Sequence, residues 1–368
     1  MTATAVRVLL IAPPPDCLGG QAIQAMRLQR CLEAQPGLTV EFQPLSPPPP
    51  GLLRFVRQIK FVRTLFALAQ YTAILAVRVP RYDVLHVFSA SYWSYSLWTL
   101  PALLFARLYR KKIIVNYRDG RAGRHLTEWR SAVATLRCMD AIVVPSRFLV
   151  DVFAAFGLHA KAIANVIDPS RFHFRPRRRL RPAFLHNRRL EPLYNVRCTL
   201  RAFKIVQARY PEASLVVAHD GPCRAELEDF AGSIGLRHYR FIGEVPHEQV
   251  AGLYDAADIY LTSPNIDCMP GSLLECFASG LPVVATAAGG IPYLAENERT
   301  ALLVPCDDHE ALARAALRLL EDESLVEHLT ANALAACKWF SAPVVRDQWM
   351  ALYLRLTELH VEPNKCRV

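Results

Sequence analysis

The sharpest chemical signal in the chain is a pair of carboxylates, Asp267 and Glu275, in the run Asn265-Ile266-Asp267-Cys268-Met269-Pro270-Gly271-Ser272-Leu273-Leu274-Glu275. The run leaves an apolar stretch through a Pro/Gly loop and enters a helical pattern, which puts Asp267 in the loop and Glu275 about one turn inside the helix. Both can then face one cleft, with the first helix amides, those of Gly271 and Ser272, between them. Amides at a helix start attract an anion, and flanking carboxylates accept from hydroxyls. A nucleotide sugar, with a diphosphate and several hydroxyls, needs that combination. The same residues also read as a capping Asp and a solvated helix Glu, and spacing alone leaves both open.

Two further segments could meet an anion. Gly19-Gly20 lies between an apolar strand and a helix, but lacks the GxGxxG spacing and the Lys of a P-loop, so a plain tight turn fits it equally. His219-Asp220-Gly221-Pro222 follows an apolar strand and opens a helix, at the carboxyl end of a parallel strand where open α/β sheets hold ligands. Asp220 reads equally as a ligand contact or a turn residue. Cysteines at 17, 31, 138, 198, 223, 268, 276, 306, 337 and 366 lack the spacing of a zinc site or redox pair. No metal is therefore expected, and the thiols are expected to be reduced and mostly buried.

Positioning these residues takes alternating strands and helices. Apolar or β-branched runs at Val6–Ala12, Val40–Phe42, Val84–Phe88, Ile113–Asn116 and Ala141–Val144 predict a first parallel sheet with helices on both faces. After the basic segment Phe174–Pro182 the pattern restarts, with strands predicted at Ser214–Ala218, Tyr239–Ile242, Ile259–Thr262, Val283–Thr286 and Ala301–Val304. Helices are predicted between them at 223–234, 247–256, 271–279 and 308–320. Two α/β units follow, 1–166 and 167–342, and apolar residues from Val344 to Leu356 predict an amphipathic terminal helix over 343–362.

Composition narrows the class. The 368 residues carry 43 Lys and Arg against 33 Asp and Glu, a net charge of +10, and 52% are apolar, which excludes a disordered or collagen-like chain. The first apolar run is too short for a secretory h-region, so a cytoplasmic location is expected. No segment reaches about 20 uncharged apolar residues; Thr64–Val77 comes closest, and a membrane span is not expected. Surface contact is a separate matter, because residues 51–82 hold six Lys or Arg and no Asp or Glu. Phe55, Ile59, Val62, Phe66 and Ala69 fall on one helical stripe, and Arg54, Arg57, Lys60 and Arg63 on the other side. That pattern reads either as an ordinary solvated face over a core helix or as contact with an anionic membrane surface, peripheral at the inner face. The cluster Arg175, Arg177, Arg178, Arg179 and Arg181 has no aromatic interleaving or nucleic-acid-binding motif beside it, so no nucleic-acid partner is expected.

Directly after Glu275, the segment Ala278-Ser279-Gly280-Leu281-Pro282-Val283-Val284-Ala285-Thr286, followed by Gly289-Gly290-Ile291-Pro292, resembles the retaining glycosyltransferases of family 4, which have the GT-B fold. Phe241–Pro246, Tyr254–Asp258 and Thr300–Pro305 resemble other conserved parts of that family at the expected distances, so the resemblance covers about 185–320 densely and the N-terminal half more loosely. It implies that Glu275 holds the donor ribose, that amides near Gly271, Ser272 and Leu273 hold the diphosphate, and that Asp267 contacts the transferred sugar. Arg188 falls where an Arg after a strand neutralises the diphosphate. The same resemblance makes Gly20, Arg189, Asp220, Gly221, Ile242 and Val245 donor-side residues and puts Arg118 where many relatives carry a catalytic His. The chain departs from the family in having Asp for the first acid, Pro270 for a Gly, and Tyr194 and Asn195 where a Lys is usual.

The expectation is thus two doubly wound, Rossmann-like domains facing across a cleft in the GT-B architecture, transferring a glycosyl group with retention from a nucleotide-sugar donor to a sugar or lipid-linked acceptor. The terminal helix is expected to pack back on the first domain, which takes the acceptor. No cofactor is expected, because arginines and helix amides stabilise the leaving diphosphate. A nucleotide-sugar epimerase or hydrolase of the same fold, and a non-catalytic basic membrane or nucleic-acid binder, are the competing readings.

Overall fold

The structure, a computed structural model, describes residues 5–14, 20–33, 35–46 and 60–358. Its first compact unit comprises Met1–Val166 with Ala342–Val368, and its second Ile167–Ser341. In the first unit, β1 (Val6–Ala12), β2 (Leu38–Pro44), β3 (Val84–Ser89), β4 (Lys112–Tyr117), β5 (Ala141–Val144) and β6 (Ala160–Ala162) form a parallel sheet in the order β2-β1-β3-β4-β5-β6. The central strands are runs of Val, Ile and Leu buried on both faces, as a sheet covered by helices on each side requires.

The helix Ala342–Glu358 belongs to this first unit. Val345, Trp349, Leu352, Tyr353 and Leu356 share its core with Val8, Leu10 and Leu28. The His86 ring stacks on Trp349 with centroids 4.3 Å apart, its Nδ1 is 2.7 Å from the Tyr353 hydroxyl, and its Nε2 is 3.1 Å from Asn116 Nδ2. Burial, with nearby Arg118 adding to it, pushes His86 down to about 3 and keeps it neutral.

The second unit repeats the plan. Strands β7 (Ala183–Asn187), β8 (Ser214–Ala218), β9 (Tyr239–Gly243), β10 (Ile259–Thr262), β11 (Val283–Thr286) and β12 (Leu302–Val304) form a parallel sheet ordered β12-β11-β10-β7-β8-β9. From β7 the chain proceeds outward through β8 and β9, then returns to the other side of β7 with β10. The order reverses between β7 and β10, so the loops beyond their carboxyl ends diverge and leave a crevice.

Several expectations need correction. The short edge strand β6, strand β7 and the helices Val196–Arg209 and Glu323–Ala336 lie outside the predicted elements. The basic segment is partly engaged: Arg175 and Arg181 pair with Asp258 at 2.5 and 2.9 Å, and Arg177, 3% exposed, donates to the carbonyls of Ser279 and Tyr254, while Arg178 and Arg179 are exposed. Burial pushes Arg177 down to about 10. Of the eight described cysteines, none is disulfide-bonded, but only Cys198, Cys276 and Cys337 are buried, and Cys138 and Cys306 are exposed.

The basic amphipathic helix also differs from its sequence reading. Arg54, Arg57, Phe55 and Ile59, and the Lys60 side chain, lie outside the described residues. The helix Lys60–Arg78 buries Ala67, Tyr71 and Leu75, yet its opposite stripe, Val62, Leu65, Ala69, Ala73 and Val77, is apolar and exposed, with Arg63 exposed at its start. Among the described residues, the stretch Val62–Arg81 is long and apolar enough to cross a membrane by length and composition, and only 22% of it is buried.

Candidate functional site

Arg188, the residue after β7, reaches across to the loop beyond β10 and ion-pairs with Asp267. Its guanidinium carbon lies 4.3 Å over the Tyr194 ring, so charge on one side and a π face on the other fix its plane. Burial opposes the Arg188 charge, and Asp267 outweighs it, holding the guanidinium above its usual range. Burial pushes the Asp267 carboxyl up, and Arg188 with the amides of Cys268 and Met269 opposes that rise. The loop that carries Asp267 is pinned twice: Asn265 N–H donates to the Leu193 carbonyl at 2.9 Å, and Gly290 N–H donates to the Asp267 carbonyl at 2.8 Å. At Gly290 a side-chain Cβ would overlap the backbone of Cys268, so this close approach admits only glycine.

Glu275 lies on the helix Gly271–Ala278 and is almost fully buried. The Tyr254 hydroxyl donates to its Oε2 at 2.8 Å and accepts from Asn187 Nδ2 at 2.9 Å. The Tyr260 hydroxyl lies 3.0 Å from Ser272 Oγ and 3.2 Å from the Asn187 carbonyl. Two tyrosines therefore tie the end of β7 to the first turn of this helix, whose N-cap residue, Pro270, supplies no side-chain cap for its amides. Around the same crevice, His186 Nε2, Asn187 Oδ1, Arg188 Nε and His219 Nδ1 are buried without hydrogen-bond partners among the described residues. Such atoms are rare in folded proteins and need a polar partner.

The structure thus brings Arg188, Asp267, Gly271, Ser272 and Glu275 to one end of the second sheet. Arg189 is nearby but engaged, 3.0 Å from Glu191 and 3.7 Å from Glu244. Asp220 is turned into its own loop, accepting from the Gly221 amide at 2.7 Å and from Arg224 at 3.3 Å. Gly221 has a packing reason for being glycine, since a Cβ there would overlap the Leu190 backbone. Leu273 lies in the core, its amide donating to the Pro270 carbonyl at 3.3 Å. Ile242 is exposed and Val245 half-buried at the outer strand β9.

Gly20 and Arg118 belong to the first unit. Gly20 opens the helix Gly20–Glu33, and its neighbour Gln21 donates to the Arg118 carbonyl at 3.5 Å. The Arg118 guanidinium lies over Phe88 at 5.1 Å and 3.3 Å from Asn116 Oδ1. Sequence reasoning missed Asn187, Tyr254 and the stacking role of Tyr194; the Tyr254-Asp255-Ala256-Ala257-Asp258 run drew attention only as a helix-to-strand turn. Among the described residues, no group of three or more His, Cys, Asp or Glu side chains is arranged to hold a metal ion.

Residues 173–335 match the family model of glycosyl transferases, group 1. The matched stretch lies within the second unit. The chain is 29% identical over 176 residues to the alpha-D-kanosaminyltransferase of Streptomyces kanamyceticus, covering 47% of this chain and 45% of that protein. It is 28% identical over 206 residues to the phosphatidyl-myo-inositol mannosyltransferase of Mycolicibacterium smegmatis, covering 54% of this chain and 53% of that one. The chain spans about half the length of these curated relatives. The crystal structure of Anabaena Alr3699/HepE in complex with UDP-glucose superposes with a TM-score of 0.76 at 18% identity, covering 95% of this chain and 99% of that one. At that identity the likeness shows the fold, which is GT-B with two Rossmann-like units.

Proposed function

We propose that the protein is a family 4 glycosyltransferase that moves a sugar, with retention of configuration, from a nucleotide-sugar donor to a sugar or lipid-linked acceptor. The observation that carries this reading is the convergence of Arg188, Asp267, Glu275 and the uncapped helix start on the crevice between β7 and β10. Glu275 accepts from the donor ribose, the Gly271 and Ser272 amides with Arg188 take the diphosphate, and Asp267 meets the transferred sugar. Cleavage of the glycosyl–phosphate bond builds negative charge on the leaving diphosphate. An arginine already oriented by Asp267 and Tyr194 meets that charge without reorganising, so no metal or other cofactor is called for. Arg118, in the first unit, serves the acceptor side. Calorimetry against uridine, guanosine and adenosine diphosphates and their sugars tests the reading: one base binds in the micromolar range, and sugar loss requires an acceptor. Silence toward all of them at millimolar concentration overturns it, and acceptor-independent sugar loss favours the epimerase or hydrolase.

The acceptor side is proposed to work at an anionic membrane surface, peripherally and on the cytoplasmic face. Support comes from the exposed stripe Val62, Leu65 and Val77 and from Leu104 and Leu108, each 65% exposed on the adjacent helix Leu100–Leu108. Tyr71 and Tyr109 tie the two helices together, donating to the carbonyls of Trp98 and Ala76 at 3.0 Å. Exposed Arg63, Arg107 and Arg110 accompany the patch. Liposome flotation is expected to rise with anionic lipid and fall with salt. Leu65→Asp with Leu104→Asp should lower vesicle recovery about tenfold or more, since each leucine inserted is worth up to roughly 2 kcal/mol. Equal recovery on neutral and anionic vesicles, or no loss in the double variant, would remove the membrane from the account.

A further inference from the structure

We infer that His219 is a further ligand of the donor diphosphate, an inference that rests on the nucleotide-sugar reading above. His219 directly follows β8, next to β7 in the sheet, and its backbone has φ +76°, in the left-handed region that glycine enters freely and histidine only at a cost. A histidine kept there against its backbone preference invites a reason in its side chain. Its Nδ1 is buried with no hydrogen-bond partner among the described residues, and the Glu244 carboxylate stands 3.9 Å off, too far to bond.

The charged groups around the imidazole come from three directions. Arg188 and Arg189 follow β7, Glu244 follows β9, and Glu275 rises from the helix Gly271–Ala278; Asp220 and Arg224, on its own side, pair with each other. Burial lowers the affinity of the ring for a proton and Glu244 opposes that, while both arginines add to it. His219 is therefore neutral at pH 7 in the free protein. A diphosphate beside Arg188 would bring negative charge within reach of the ring and reverse the balance, so His219 takes up a proton as the ligand binds.

Calorimetry with uridine, guanosine and adenosine diphosphates, repeated at pH 7.5 in two buffers of different ionisation heat, reads this directly. The wild type should take up a fraction of a proton with whichever diphosphate it binds. His219→Gly should lose that uptake and bind at least fivefold more weakly, while its melting temperature rises by about 2–4 °C because the backbone strain is relieved. His219→Asn, which tolerates the same backbone region but does not titrate, should weaken binding in the same way. Wild-type affinity and unchanged proton uptake in His219→Gly would overturn the inference and leave the donor site standing. A wild type that binds none of the three diphosphates overturns the reading of the site and the inference with it.

Discussion

Arg188→Leu is expected to lower the melting temperature by about 6–20 °C and to remove measurable nucleoside diphosphate binding. The Arg188 and Asp267 side chains are 14% and 6% exposed, so the substitution strands a carboxylate in a nearly dry site. Breaking one side of a buried pair costs about 3–5 kcal/mol, and each kcal/mol moves the melting point by roughly 2–4 °C in a unit of this size. The double variant Arg188→Leu/Asp267→Leu separates stability from binding. With both charges replaced by apolar side chains of similar reach it should recover most of the lost melting temperature, while diphosphate affinity stays at the level of the single variant. Recovery of both would mean that Arg188 serves the fold alone.

Glu275→Gln should cut donor turnover tenfold or more with little change in melting temperature. The amide oxygen of glutamine still accepts from the Tyr254 hydroxyl, which now donates to Oε2 at 2.8 Å, so the link from Asn187 through Tyr254 survives. What is lost is the anionic acceptor for a ribose hydroxyl, a charge-assisted hydrogen bond worth roughly 1.5–3 kcal/mol. Turnover and melting are to be compared for the variant and the wild type with the same donor. If turnover is retained, the carboxylate serves Tyr254 and not a substrate.

The crevice was legible where chain-local chemistry announces it. The Pro/Gly loop before Gly271 and the apolar run Ile259–Thr262 are short-range signals, and strand β10 and the helix Gly271–Ala278 follow from them closely. Strand β7 gave a weaker signal, because Ala183–Asn187 ends in the polar pair His186-Asn187, whose burial depends on neighbours distant in sequence. The arginine-rich segment shows the same limit: that Arg175 and Arg181 would be spent on Asp258 is a long-range fact that no local composition records. The left-handed backbone of His219 is likewise a property of the folded sheet, and nothing in Ala218-His219-Asp220 announces it. In the helix Lys60–Arg78 the sequence periodicity suggests one apolar stripe, whereas apolar residues occupy two opposite stripes, only one of them covered.

The helix Ala342–Glu358 also sets an order of events on the ribosome. Domains ordinarily fold as they emerge, the N-terminal one first. Here the contiguous second unit, Ile167–Ser341, has left the exit tunnel in full while the first still lacks Val345, Trp349, Leu352, Tyr353 and Leu356. Until those side chains arrive, the sheet face around His86 has no lid, and its apolar surface is open to water and to any chaperone that reads such surfaces. The nascent chain thus completes its later-synthesised unit first and closes its earlier one last.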